Sequence, residues 1–262
     1  MPAPGVDLNV CQRGETPSLL FLHGFAGDLH TWDGLWQALD ETLPALRYDM
    51  RGYGESVARQ NAAFSHADDL LYLLDALEIA SVDLVGVSMG GGIAVNFAMD
   101  HPQRVRNLVL ISPALVAWEW SEEWQSLWCP VAERARSGAL SEARDLWWQH
   151  PLFASTRESK GAVPLQESIM RFSGTQWIRD YQRTALPDVE RLHLLHTRTL
   201  LLTGGRDMQD FKLIADLLEV SAGSLQRIDR PDLGHLLYLE DANACADAIR
   251  CFLQAAPRPA LS

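Results

Sequence analysis

The chain has no apolar run long enough to cross a bilayer, which excludes a membrane-spanning helix and makes a membrane partner unexpected. Basic residues are scarce: 22 against 34 acidic ones give a net charge of -12, which argues against nucleic acid as a ligand. Cysteine is sparse and scattered. Cys11, Cys129, Cys245 and Cys251 form no Cys-x-x-Cys pair and lie near no histidine at zinc-finger spacing, so reduced, mostly buried thiols are expected rather than disulfides or a metal. The opening Met1 to Gly5 lacks a basic region followed by an apolar one, so no secretion signal is expected and a cytoplasmic address follows. There is no internal repeat or low-complexity segment. At 262 residues, with 47% hydrophobic and 21% charged residues, a soluble α/β domain with one insertion is the default.

What is present is organised around Val85-Gly86-Val87-Ser88-Met89-Gly90-Gly91-Gly92. Val82 to Val87 reads as a buried strand and Gly90 to Asp100 as a helix packed on it, which puts Ser88 at the turn between them. Gly-x-Ser-x-Gly at a strand-to-helix turn is a nucleophile elbow, where a strained backbone lifts the hydroxyl clear of its neighbours. Upstream, Val6 to Val10 and Ser18 to Phe21 are strand-like, separated by a turn at Arg13 to Pro17. Next come a glycine-punctuated loop, Leu22 to Asp28, an amphipathic stretch, Trp32 to Leu39, and a strand, Ala45 to Tyr48. Ser65 with Asp68 resembles a capping box opening a helix that carries Leu70, Leu74 and Leu77 on one face. His101-Pro102 supplies a stop before the strand Arg106 to Ile111. The alternation predicts a mostly parallel twisted sheet with helices on both faces, and functional loops at the carboxyl ends of its strands.

Between Ala114 and Pro187 the texture changes: no strand-like run occurs, and seven of the nine tryptophans fall there. This predicts a helical cap at 114–187 inserted into a core of 1–113 and 188–262. The tryptophans either fill the interior of that cap or line an apolar pocket above Ser88, with Trp147 and Trp148 as candidates for the lining. The sheet pattern resumes at Thr199 to Thr203, then Asp207 and a helix from about Asp210 to Val220. Leu225 to Ile228 forms a last strand before His235, Asp241 to Phe252 the closing helix, and Pro257 to Ser262 a loose tail.

A serine hydroxyl needs a base, and the base needs a third group to fix its tautomer. Ser88, Asp207 and His235 supply all three, each just past a predicted strand and in an order unlike those of chymotrypsin-like or subtilisin-like enzymes. Asp210 is a second candidate for the acid, although it falls within the predicted helix. Glu240 reads as a structural or surface group, His23 as hydrogen-bonded scaffold and Arg51 as a loop tie. His193 and His196 could share a helical face, yet no third metal ligand accompanies them.

With these residues in place, the sequence resembles an α/β-hydrolase fold serine hydrolase over nearly its whole length. Leu22-His23-Gly24-Phe25 resembles that family's oxyanion loop, and Asp49 to Ser56 its Asp-x-Arg-Gly-x-Gly-x-Ser loop. The resemblance implies an oxyanion hole built from the backbone N–H groups of Phe25 and Met89, an acyl-enzyme on Ser88 and no cofactor. The elbow, the stretch Trp147 to Phe153 and the run His235 to Glu240 look most like small carboxylesterases and 3-oxoadipate enol-lactonases, implying a small-molecule ester or lactone as substrate. Serine at position 88 departs from the haloalkane dehalogenases and epoxide hydrolases of this fold, which carry aspartate there. Leu236 departs from many carbon–carbon bond hydrolases of aromatic ring-cleavage products, which place tryptophan after the histidine. Gly92 departs from the menaquinone-pathway lyase, which has arginine soon after the elbow. Carbon–carbon hydrolysis stays open as an alternative, as does a ligand receptor that keeps the triad for binding. Nothing in the pattern specifies an oligomeric state.

Overall fold

The computed structural model describes residues 1–183 and 185–255, so the tail expected at Pro257 to Ser262 lies outside the described residues. Seven strands form the central sheet in the order Leu225–Arg230, Arg198–Gly204, Val105–Ile111, Val82–Val87, Leu19–Leu22, Ala45–Tyr48 and Val10–Arg13. All neighbours run parallel except the last, which pairs antiparallel with Ala45–Tyr48. The inner strands are continuous apolar runs because helices cover both of their faces: every residue of Leu19–Leu22 and every residue from Leu84 to Val87 is buried.

The expected strand Val6 to Val10 is divided. Val6–Asp7 joins Pro2–Ala3 and Val57–Ala58 in a small antiparallel sheet, and Val10–Arg13 enters the large one. The break has a local cause, since the Leu8 N–H donates to the Met1 carbonyl (2.7 Å) and the Asn9 N–H to Ser56 Oγ (2.9 Å), which takes both out of the ladders. Arg13 still pairs with Ala45, so the turn starts later than its composition suggests. The stretch expected to be helical from Trp32 opens instead with a 3₁₀ turn, Leu29–Trp32, ahead of the α-helix Asp33–Ala38. Ser65 caps the helix His66–Ala76, its Oγ accepting from the Asp68 N–H.

The helix after Ser88, Met89–Asp100, is buried at every residue from Gly90 to Met99, wedged against the sheet. Its approach leaves no room for side chains at the turn. A Cβ on Gly90 would lie 2.3 Å from the Leu22 carbonyl oxygen and 2.5 Å from that of His23, and one on Gly86 would lie 2.4 Å from the Gly90 carbonyl oxygen.

Between the strands Val105–Ile111 and Arg198–Gly204 the chain is helical, with Glu122–Arg136, Leu140–Trp148, Ala154–Arg157, Ala162–Arg171 and Thr175–Ile178 as its α-helices. Its two ends are tied together at Asp188. The Val116 N–H donates to Asp188 Oδ2 (2.8 Å), the Asp188 N–H donates to the Val116 carbonyl (3.1 Å), and Asn96 Nδ2 donates to Asp188 Oδ1 (2.9 Å). The returning chain also bonds to Phe64, whose N–H donates to the Tyr181 carbonyl and whose carbonyl accepts from the Arg183 N–H.

Two outcomes follow. Gly90→Ala forces a methyl into the carbonyls of Leu22, the last residue of its strand, and His23, the first of the loop beyond, so it should destabilise the fold by about 3 kcal/mol or more in chemical denaturation. An unchanged midpoint contradicts the packing. Burial, partly offset by the donors Asn96 and Val116, pushes the Asp188 carboxyl from 3.8 up to about 6, so the folded state holds this proton more tightly than the unfolded chain. The Asp188 contribution is therefore most favourable below pH 3.8 and declines as pH rises through about 6. Asp188→Asn has no such titration, and its stability relative to the parent should rise across that interval. A flat difference excludes it.

Candidate active site

Parallel strands end on a common edge, and three of these ends carry the site. Ser88 follows Val82–Val87, Asp207 lies just past Arg198–Gly204, and His235 lies in the turn beyond Leu225–Arg230. The last two loops are in close contact, for a Cβ on Gly204 would lie 2.1 Å from the Gly234 carbonyl oxygen. Ser88 has φ 52° and ψ -119°, a conformation that costs a non-glycine residue energy and holds the hydroxyl at the apex of the turn.

His235 Nδ1 lies 2.9 Å from Asp207 Oδ2 and 3.1 Å from Oδ1, and the Met208 N–H also donates to Oδ1 (2.7 Å). Both side chains are almost wholly buried. A carboxylate accepts only, so this pairing puts the proton on Nδ1 and leaves Nε2 with its lone pair. Nε2 is buried and makes no hydrogen bond, and the ring packs on Phe211 with centroids 4.2 Å apart. Asp210 goes elsewhere. Its carboxylate accepts from Trp118 Nε1 (3.1 Å), the Ser121 N–H (3.0 Å) and Ser121 Oγ (2.6 Å), joining the helix Gln209–Ser221 to the start of the helical segment.

Met89 is the first residue of its helix, so its N–H has no partner within the helix and sits at the positive end of the dipole. The loop bearing Phe25 lies against the same turn, a Cβ on Gly24 falling 3.5 Å from Ser88 Cβ. His23 fixes that loop: Nδ1 donates to the Gly24 carbonyl (2.8 Å) and Nε2 accepts from the Met50 N–H (3.0 Å). Burial pushes its pKa down, so it stays neutral and keeps this pairing. Arg51 forms a bidentate pair with Asp69 (2.6 and 2.9 Å) and donates to the Pro4 carbonyl, a loop tie remote in role from chemistry.

Glu240 takes the structural one of the two roles that the sequence left open, with partners that the sequence did not indicate. Its carboxylate accepts from the Gly234 N–H (2.8 Å), next to His235, and from Ser155 Oγ and Thr156 Oγ1 (both 2.7 Å) in the helical segment. The Ser and Thr lie 85 and 84 residues away, and no local pattern advertises such a contact. His193 and His196 are exposed, and among the described residues no group of three His, Cys, Asp or Glu side chains is placed to hold a metal.

A cavity of about 670 Å³ opens over Ser88, Met89, Phe25 and His235. Of the seven tryptophans in the helical segment, Trp118, Trp120, Trp124, Trp128 and Trp147 line it. Trp124 and Trp128 sit one turn apart on a single helix with nearly parallel rings, and Trp120 stacks on Trp124 at 4.4 Å. Trp148, expected beside Trp147, is outside the lining. Consecutive helical residues point about 100° apart, and its ring packs toward the Arg157 guanidinium 5.9 Å away.

The family model for the alpha/beta hydrolase fold matches residues 17–242, and the chain belongs to that family. It is 35% identical over 132 residues to a 2-hydroxymuconate semialdehyde hydrolase from Pseudomonas sp. (strain CF600), covering 48% of this chain and about half (47%) of that one. It is 29% identical over 249 residues to a 2-succinyl-6-hydroxy-2,4-cyclohexadiene-1-carboxylate synthase from Enterobacter sp. (strain 638), covering 91% of this chain and 92% of that one. A thermophilic esterase from Thermogutta terrifontis superposes with a TM-score of 0.77 at 25% identity, covering 95% and 93% of the two chains.

The two aspartates are separable by substitution. Asp207→Asn should lower kcat by about ten-thousandfold against a chromogenic ester, because an amide no longer holds the proton on Nδ1. Asp210→Asn should stay within about tenfold of the parent. Equal losses at the two positions remove Asp207 from its place beside the base.

Proposed function

We propose that this chain is a serine hydrolase that cleaves a small carboxylic ester or lactone through an acyl-enzyme on Ser88. The observation that carries this reading is His235 Nε2, an unpaired buried acceptor on the cavity that Ser88 also lines, with its tautomer set by Asp207. In this reading Nε2 takes the Ser88 proton as Oγ attacks the carbonyl and returns it to the leaving oxygen. Water then enters by the same base and releases the acid. The N–H groups of Met89 and Phe25 receive the oxyanion, the first with the support of the helix dipole. Residues 114–187 act as a cap whose tryptophans bind the substrate's apolar part, over a core of 1–113 and 188–262. The chemistry needs no metal or cofactor.

No helix among the described residues is long and apolar enough to cross a membrane, and all four cysteines are free. A cytoplasmic setting fits these thiols.

Ser88→Ala should reduce steady-state hydrolysis of p-nitrophenyl butyrate by about a millionfold, the loss characteristic of a triad acting as a unit. The parent should turn over many times per active site. Near-parental activity in the variant sinks the nucleophile. A single stoichiometric release by the parent, with no steady state, makes the chain a receptor instead.

A further inference from the structure

The cavity above Ser88 is large, aromatic and without a cation. Apart from His235, the only charge-bearing side chains among the described residues that line it are Glu119 and Asp180, both acidic and both exposed. Four basic side chains of the helical segment have partners outside the cavity lining. Arg171 pairs with Asp28 at 2.8 Å, Arg183 pairs with Asp68, Arg179 lies over the Tyr181 ring at 4.8 Å, and Arg157 donates to the Trp148 and His150 carbonyls at 2.7 and 2.9 Å. His150, among the rings of Trp124, Trp147 and Phe153, adds no cation. Burial, with His235 and Arg157 nearby, pushes its pKa down to about 4.

We propose that the substrate is an uncharged ester with an aromatic or bulky aliphatic group, and that Glu119 and Asp180 at the mouth reject carboxylate-bearing molecules. The proposal rests on the serine-hydrolase reading and narrows it. A carboxylate entering this cavity loses its hydration, meets no guanidinium or ammonium to replace it, passes two like charges and then faces the electron-rich sides of indole rings. An uncharged aryl or alkyl group loses only apolar hydration and gains contact with Trp120, Trp124, Trp128 and Trp147. The names of the two sequence relatives specify a muconate semialdehyde and a cyclohexadiene carboxylate. Among the described residues the cavity of this chain presents no Lys or Arg to pair with a carboxylate, so a shared fold here accompanies a different substrate class.

The test is the purified full chain with two esters of equal length, p-nitrophenyl valerate and mono-p-nitrophenyl glutarate, which differ only in a terminal methyl against a terminal carboxylate. The valerate should exceed the glutarate in kcat/KM by about a hundredfold or more, chiefly through KM. The double substitution Glu119→Gln with Asp180→Asn should shrink that ratio by about tenfold, and added salt should shrink it in the parent. Labelling of Ser88 by an uncharged ethyl p-nitrophenyl alkylphosphonate, compared with its ω-carboxylated counterpart, should show the same order of rates. Equal handling of the charged and uncharged members overturns this inference and leaves the hydrolase reading intact. A ratio unmoved by the double substitution overturns the role of the mouth. Failure of either ester to turn over and of either phosphonate to label Ser88 overturns the hydrolase reading, and this inference with it.

Discussion

Close approach of bare backbone at the turn around Ser88 is the constraint on which the rest depends. Gly86 and Gly90 allow the helix Met89–Asp100 to sit directly on the strands that end at Leu22 and Val87. Only that contact brings together, at one point, a strained serine, the first free N–H of a helix and the loop carrying Phe25. The strain at Ser88 is held by surrounding order, since its N–H donates to the Ile111 carbonyl (3.0 Å) and its carbonyl accepts from the N–H groups of Gly92 (3.0 Å) and Ala114 (2.9 Å).

Four carboxylates then join the helical segment to the sheet's carboxyl edge. Asp28 receives Arg171, Asp188 receives Val116 and Asn96, Asp210 receives Trp118 and Ser121, and Glu240 receives Ser155 and Thr156. Three of them sit beside a part of the candidate site: Asp28 ends the loop of Phe25, Asp210 lies three residues past Asp207, and Glu240 also holds the Gly234 N–H next to His235. The segment that shapes the cavity is thus fastened to the same loops that carry Phe25, Asp207 and His235. The groups that fix tautomer and loop geometry are also shielded from water, where a hydrogen bond to a charged acceptor is worth more than at the surface.

Much of this was legible along the chain. The Gly-x-Ser-x-Gly turn, the alternation of apolar runs with amphipathic stretches and the placement of Asp207 and His235 after strands all register locally, because period and turn chemistry are local properties. Boundaries set by distant partners were not legible. The division of Val6 to Val10 depends on the Asn9 N–H meeting Ser56 Oγ, 47 residues along the chain. Whether Glu240 is a structural or a surface group is open in the sequence because its partners, Ser155 and Thr156, arrive from another part of the chain.

The sequence by itself determined the class of fold and the elbow, and it offered Ser88, His235 and an aspartate after a strand as candidates, since apolar period and turn chemistry are written locally in each strand-turn unit. Tertiary structure put Asp207 rather than Asp210 beside Nδ1 of His235, where the sequence offered only the position of Asp210 inside a predicted helix as a reason to prefer Asp207. It also decided which tryptophans face the cavity and that, among the described residues, no Lys or Arg lines it with them. Pocket walls are assembled from side chains far apart in the chain, and their charge balance exists only once the helical segment has folded over the sheet.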